Sequence, residues 1–157
     1  MLVYLAGAIQ GNRVAVDVIH ELINFIKSHG VEVLTEHLFG EDRFEFFARM
    51  SRIKKEDITA DDIERVNVGM LDSATHLIAE VSGASTGTGM EIRYAMHKHL
   101  LGKTPASVLL LYCKDKKDQV SNMVKGMNPL RYPTVTVCSY LDAAEAKRIV
   151  AEFLAIQ

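Results

Sequence analysis

The stretch HLIAEVSGASTGTGMEIRYA, residues 76–95, decides the fold. It opens with an almost unbroken apolar run, HLIAEV (76–81), passes through Ser, Gly, Ala and Thr, and then turns helical. A short continuous apolar run suits a strand covered on both faces, the condition of a parallel sheet flanked by helices. Four more runs share this character: LVYLAG (2–7), VEVLT (31–35), SVLLLYC (107–113) and TVTVC (134–138). Helical patterns lie between them. NRVAVDVIHELINFIKSHG carries Ala15, Val18, Ile19, Leu22, Phe25 and Ile26 on one face, with Gly30 as its stop signal. TADDIERVNVGMLDSA starts at Thr59 as an N-cap, has Asp62 three positions on, and aligns Ile63, Val66, Met70 and Leu71. A last helix falls in YLDAAEAKRIVAEFLAIQ.

This alternation predicts an α/β chain: a Rossmann-like (flavodoxin-like) five-stranded parallel sheet with helices on both faces and right-handed crossovers. At 157 residues, with no linker, repeat or low-complexity tract, it is expected to form a single domain over 1–157. The irregular part is HLFGEDRFEFFARMSRIKKED, whose aromatics predict a helix or lid over one edge of the sheet.

The bulk composition narrows the function classes. A formal net charge of -2 gives no basic footprint for nucleic acid or an anionic membrane. The basic runs RIKKE and KDKKD both contain acids and read as solvated surface. Cys113 and Cys138 have no metal-ligand or CxxC spacing, so two reduced, mostly buried thiols are expected, with no disulfide framework and no zinc. MLVYLAGAIQGN lacks a basic leader and a cleavage pattern, and no apolar run reaches the length of a membrane span. A soluble cytoplasmic protein is expected.

In an open sheet of this kind, ligands bind beyond the carboxyl ends of the strands, so three junctions matter. In GAIQGNR, Gly7 and Gly11 surround a turn that opens a helix, a place where backbone can approach a ligand and N–H groups attract anions. It is not GxGxxG and lacks the acid a dinucleotide ribose needs. In LTEHLFG, His37 follows a buried strand and reads as a structural donor or a catalytic group. In EVSGASTGTGME, hydroxyls and free N–H groups make a cradle for a phosphate or a sugar. Glu91 is expected in the first turn of the following helix, where the positive helix end favours its ionised form. Acids favour first turns for that reason alone, so local physics leaves a structural and a catalytic Glu91 both open.

LAGAIQGNR, LTEH and AEVSGASTGTGMEIRYA, in that order on successive strands, resemble the nucleoside 2-deoxyribosyltransferase family, and within it the 2'-deoxynucleoside 5'-phosphate N-hydrolases. The likeness runs from Tyr4 to about Gly126. The resemblance implies cleavage of an N-glycosidic bond of a small nucleotide or nucleoside without metal or cofactor, by a homodimer or larger assembly. It assigns the nucleophile to Glu91 and the first-strand tyrosine to Tyr4. Sugar and phosphate contacts fall on Gly7, Ala8, Ile9 and Arg13, further phosphate contacts on Ser85, Gly87 and Gly89, and a serine donated across the subunit interface on Ser121. Two positions depart from the family pattern. Asn67 stands where the family has a second carboxylate, and an amide can hydrogen-bond a base but cannot deliver a proton as an acid. Gln10 stands where the hydrolases often have arginine. Three activities therefore stay open: hydrolysis of (2'-deoxy)nucleoside 5'-monophosphates, base exchange on nucleosides, and nucleotide binding with little catalysis.

Overall fold

The structure is a computed structural model that describes residues 1–8, 15–35 and 42–156. Five parallel strands form one sheet: β1 (Leu2–Ala6), β2 (Glu32–Val33), β3 (His76–Glu80), β4 (Ser107–Cys113) and β5 (Val135–Tyr140). Their order is β2-β1-β3-β4-β5, the flavodoxin-like order predicted from the alternating pattern. Because side chains alternate along each strand, the sheet has two dry faces. Val3, Leu5, Ile78, Leu109 and Leu111 face helices α1 (Val16–Ser28) and α6 (Ala143–Leu154). Tyr4, Ala6, Leu77, Ala79, Val108 and Leu110 face α3 (Ala60–Ser73) and α4 (Thr86–His97).

The element ends follow from local chemistry. Helix α1 stops at C-cap His29, and Gly30 takes the left-handed conformation, φ 72°, that a side chain would resist. Helix α3 begins with the reciprocal capping predicted at Thr59 and Asp62: the threonine hydroxyl accepts from Asp62 N at 3.2 Å, and the aspartate accepts from Thr59 N at 3.1 Å. Helix α2 (Arg43–Ser51) supplies the covering segment expected from the aromatics. Phe47 is buried with the α1 core, whereas Phe46 touches both cores, which places α2 around the β2 edge. A four-residue helix, α5 (Asn122–Lys125), follows β4.

Two expectations change. Strand β2 is shorter than VEVLT, and Thr35 explains where its pairing goes: the fully buried hydroxyl accepts from Leu5 N at 2.9 Å and donates to Leu5 O at 2.6 Å. A side chain thus satisfies two ladder groups that a longer strand would have paired. Cys113 and Cys138 are free thiols but only partly buried; Cys113 is the last residue of β4, and Cys138 lies on the edge strand β5. No helix among the described residues is long and apolar enough to cross a membrane.

Helices α3 and α4 are locked together by a buried lysine. Lys98, in the single-turn extension of α4, is completely inaccessible to solvent, and its ammonium donates to Leu71 O (2.8 Å), Asp72 O (3.1 Å) and Ala74 O (2.5 Å). These are carbonyls at the C-terminal end of α3, where helical acceptors run out and the helix end is negative. Burial lowers the lysine pKa, and Asp72 opposes that shift. Lys98→Met keeps the stem but leaves the carbonyls unpaired. It is expected to cost about 2–4 kcal/mol in urea unfolding; an unchanged midpoint would show that α3 does not depend on this cap.

Candidate active site

Strands β1 and β3 are neighbours, yet β1 leads to α1 on one face and β3 leads to α4 on the other. This is the switch point of a doubly wound sheet, where a crevice opens beyond the strand ends. Gly7 and Ala8 follow β1 here and are both buried. A Cβ on Gly7 would lie 2.4 Å from Ile19 Cδ1, so a side chain here would force the Ile19 methyl on α1 to move. Ile9, Gln10, Arg13 and His37 lie outside the described residues.

Helix α4 starts earlier than its acid suggested, at Thr86. Ser85 is the N-cap and accepts from Thr88 N (3.3 Å) and from the Thr88 hydroxyl (3.0 Å). Glu91 therefore stands in the second turn, not the first, and the macrodipole that fades within one turn is not what governs it. Its partner is Tyr4. The tyrosine is fully buried on β1 and its hydroxyl donates to Glu91 Oε1 at 2.7 Å. Burial pushes the Glu91 carboxyl above the ordinary glutamate range, and the Tyr4 hydrogen bond pulls it partly back. The Tyr4 phenol is itself raised, by burial first and by the neighbouring carboxylate second.

Glu91 opens onto a cleft of about 280 Å³ between α3 and α4. From α3 come Ala60, Ile63, Glu64, Asn67, Val68 and Leu71; from α4 come Gly87, Met90, Glu91 and Tyr94. Each set is a helical stripe of i, i+3 and i+4 neighbours, so two helix faces confront one another across the opening. The structure brings Tyr4, Asn67, Gly87 and Glu91 together. Asn67 Oδ1 is buried without a hydrogen-bond partner. Tyr94, which the sequence reading passed over, donates to Asp72 at 2.7 Å, and Lys103 lies 2.7 Å from the same carboxylate. The signal was its i+3 spacing from Glu91.

Ser85, Gly89 and Ser121 fall elsewhere. They line a second groove of about 470 Å³ on the other flank of α4, with Val81, Ile92, Arg93, Met123 and Met127. Ser121 thus shares a groove with Ser85 within one chain. A different glutamate, Glu80, ends β3 on the opposite face, 4 % exposed, and accepts from Tyr140 at 2.9 Å and from the Ser82 hydroxyl. Burial raises its pKa too. Ser82 in turn accepts from Cys113 N at 2.7 Å, so this closed network ties the ends of β3, β4 and β5 together. Of these two glutamates, Glu91 is the one that lines the cleft between α3 and α4. No group of three or more potential metal-ligating side chains occurs among the described residues.

The sequence profile described as nucleoside 2-deoxyribosyltransferase matches residues 3–130, a span that includes Tyr4, Asn67, Glu91 and Ser121. The chain belongs to the nucleoside 2-deoxyribosyltransferase family. Among curated relatives, proteins named "Putative 2'-deoxynucleoside 5'-phosphate N-hydrolase 1" are similar to this family member over most of their length. That of Methanosarcina mazei is 33% identical over 97% of this chain and 83% of its own. The Methanosarcina barkeri protein is 32% identical over 97% and 84%, and the Thermofilum pendens protein 29% identical over 93% and 90%. Among solved structures, a CMP N-glycosidase of Clostridium botulinum has the same fold, with a TM-score of 0.64 at 18% identity, over 98% of this chain and 99% of that one.

The raised carboxyl pKa gives a stability signature that needs no substrate. The folded chain holds the Glu91 proton more tightly than the unfolded chain does, so stability falls as pH rises from the ordinary glutamate value through the raised folded one. Glu91→Gln removes that penalty. Its Tm is expected to exceed the wild-type value at about pH 8, with the advantage fading by about pH 4, where both states are protonated. A variant less stable than wild type at about pH 8 would contradict the reading that the fold penalises the charged form of Glu91.

Proposed function

We propose that this protein hydrolyses the N-glycosidic bond of (2'-deoxy)nucleoside 5'-monophosphates, releasing free base and sugar 5-phosphate, with Glu91 as the nucleophile. The observation that carries the reading is the Tyr4–Glu91 pair. It is a carboxylate held by a buried hydroxyl at 2.7 Å, at the mouth of a cleft with apolar walls. The names of the curated relatives support the substrate class.

Departure of the base builds positive charge on the sugar, and a carboxylate beside C1' stabilises it. A Glu91 oxygen forms a bond to C1' as the C1'–N bond breaks. The bonding pair leaves with the base, which takes a proton from water. A second water then attacks C1', the ester to Glu91 breaks, and the carboxylate is restored as the water's proton passes to solvent. Tyr4 aims the attacking oxygen and keeps part of the carboxyl population ionised, since a hydrogen bond to the charged form favours it. The 5'-phosphate is placed at the start of α4. There the N–H groups of Thr86 and Gly87 precede the first helical hydrogen bond, from Gly89 to Ser85 O. Gly87 is four residues, about 6 Å along the helix, from Glu91, and the space where its side chain would be is open.

Ile9, Gln10, Arg13 and His37 complete this reading as substrate contacts of the first two junctions, and Gly7 and Ala8 as the backbone against the sugar. Ser85, Gly89 and Ser121 form the outer phosphate-side surface. The same reading carries a cytoplasmic homodimer or larger assembly. The exposed Met123 beside Ser121 offers it an apolar face, over which the serine of one subunit can reach its neighbour.

The test is product analysis by chromatography for each nucleoside and nucleoside monophosphate, with and without a second free base. Free base from the monophosphates without an acceptor is expected, and Glu91→Gln should lower the rate by at least about a thousandfold while binding persists. Product that appears only with an acceptor base would make the enzyme a transferase. Wild-type rates in Glu91→Gln would remove the nucleophile assignment.

A further inference from the structure

Displacement at C1' limits where the second water can come from. When a carboxylate holds one face of the sugar, the base leaves from the opposite face and the water arrives there. Glu91 belongs to α4, which leaves the α3 wall of the cleft to meet that water. Most of that wall is apolar: Ala60, Ile63, Val68 and Leu71. The polar residues it presents are Glu64 and Asn67. Asn67 Oδ1 is buried with no hydrogen-bond partner, and such an acceptor gains from an incoming donor. Glu64 stands three positions earlier on the same stripe and is exposed to solvent. The adjacent cation, Arg65, is engaged by Asp62. Glu64 also acts across the cleft. The Tyr94 phenol on α4 is raised first by its hydrogen bond to Asp72 and by burial, and the charge of Glu64 adds to this.

We propose that Glu64 is the general base of the second step, acting on a water held between its carboxylate and Asn67 Oδ1. This inference rests on the nucleotide N-glycosidase reading above. Residues three apart on a helix are neighbours, with Cβ atoms about 5–6 Å apart, a gap that one water spans with two hydrogen bonds of about 2.8 Å. The water donates one O–H to the amide oxygen and the other to the carboxylate, which leaves a lone pair for C1'. As the water oxygen bonds to C1', the ester bond to Glu91 breaks and its electron pair returns to the Glu91 carboxylate. The proton passes to Glu64, and from Glu64 to solvent. An amide cannot take this proton, so Asn67 positions the water and Glu64 deprotonates it. The two glutamates thus have different work in different settings. Glu91, held by Tyr4, attacks carbon, whereas Glu64, in contact with solvent, exchanges its proton with bulk water. A water held in this place also favours hydrolysis over base exchange, because an acceptor base has to displace it.

The experiment follows dAMP, dCMP, dGMP and dTMP with the full-length wild-type protein, Glu64→Gln, Glu64→Ala and Asn67→Ala, by rapid quench and intact-mass spectrometry, with and without sodium azide. The Glu64 variants are expected to release one base per active site in a burst and then to turn over about a hundredfold or more slower than wild type. The sugar phosphate should accumulate on the chain during that slow phase. Azide has no proton to lose, so it should speed both variants by about tenfold or more, yield the glycosyl azide, and leave wild type little changed. Asn67→Ala should show the same burst and the same relief by azide. Circular dichroism and Tm report folding, and the burst amplitude counts the active sites. Wild-type rates in either Glu64 variant, or slow variants with neither burst nor azide relief, would overturn the role of Glu64 and leave the N-glycosidase reading standing. No burst in Asn67→Ala would overturn the water site. No hydrolysis of any of the four nucleotides by wild type would overturn the N-glycosidase reading, and this one with it.

Discussion

One hydrogen bond, from the Tyr4 hydroxyl on β1 to the Glu91 carboxylate on α4, sets the geometry on which the candidate site depends. Tyr4 is completely buried, so its hydroxyl needs a partner inside the protein, and a carboxylate from α4 is what reaches it. That requirement fixes the rotation of α4 on the sheet and points Glu91 inward, toward the crevice between α3 and α4. The sheet order makes this possible. Because β1 lies beside β3, the tyrosine and the helix that leaves β3 share one face.

The same arrangement carries an energetic conflict. Glu91 is held where its charged form is poorly solvated, and a single hydroxyl offsets only part of that cost. Glu80, by contrast, is a buried carboxylate met by two hydroxyls, those of Ser82 and Tyr140. The contacts that join the two helices border the cleft: the Lys98 ammonium on the end of α3, and the Tyr94–Asp72–Lys103 group, of which Tyr94 is itself part of the cleft wall. Asn67, about one turn before Leu71 on α3, stays unpaired in the cleft.

Much of this was legible in the sequence. Apolar runs separated by amphipathic helices indicated the parallel sheet, and Thr59 with Asp62 marked the start of α3. The start of α4 was not legible. TGTG lowers helix propensity, which made Glu91 look like a first-turn residue, but the Ser85 cap and the packing of Ile92, Ala95 and Met96 draw the helix back to Thr86. The division between two flanks of α4 was equally hidden, because Ser85, Gly87 and Gly89 are close in sequence while helical rotation sends Gly87 toward Glu91 and the others away. Thr35 looked like the end of a strand before a functional histidine, and its hydroxyl proves to be occupied by the β1 backbone. Lys98 offered no pattern at all, since a lysine in a basic-looking helix end reads as solvated until tertiary structure buries it.

The central claim is that Glu91 forms a covalent bond to the sugar. The most direct measurement is acid quenching of the wild-type enzyme during turnover of a nucleoside monophosphate, followed by mass spectrometry of the intact chain and its peptides. The account predicts a mass increase equal to the bound sugar phosphate, confined to the peptide that contains Glu91. The same adduct on another residue, in a preparation that turns over normally, would contradict it.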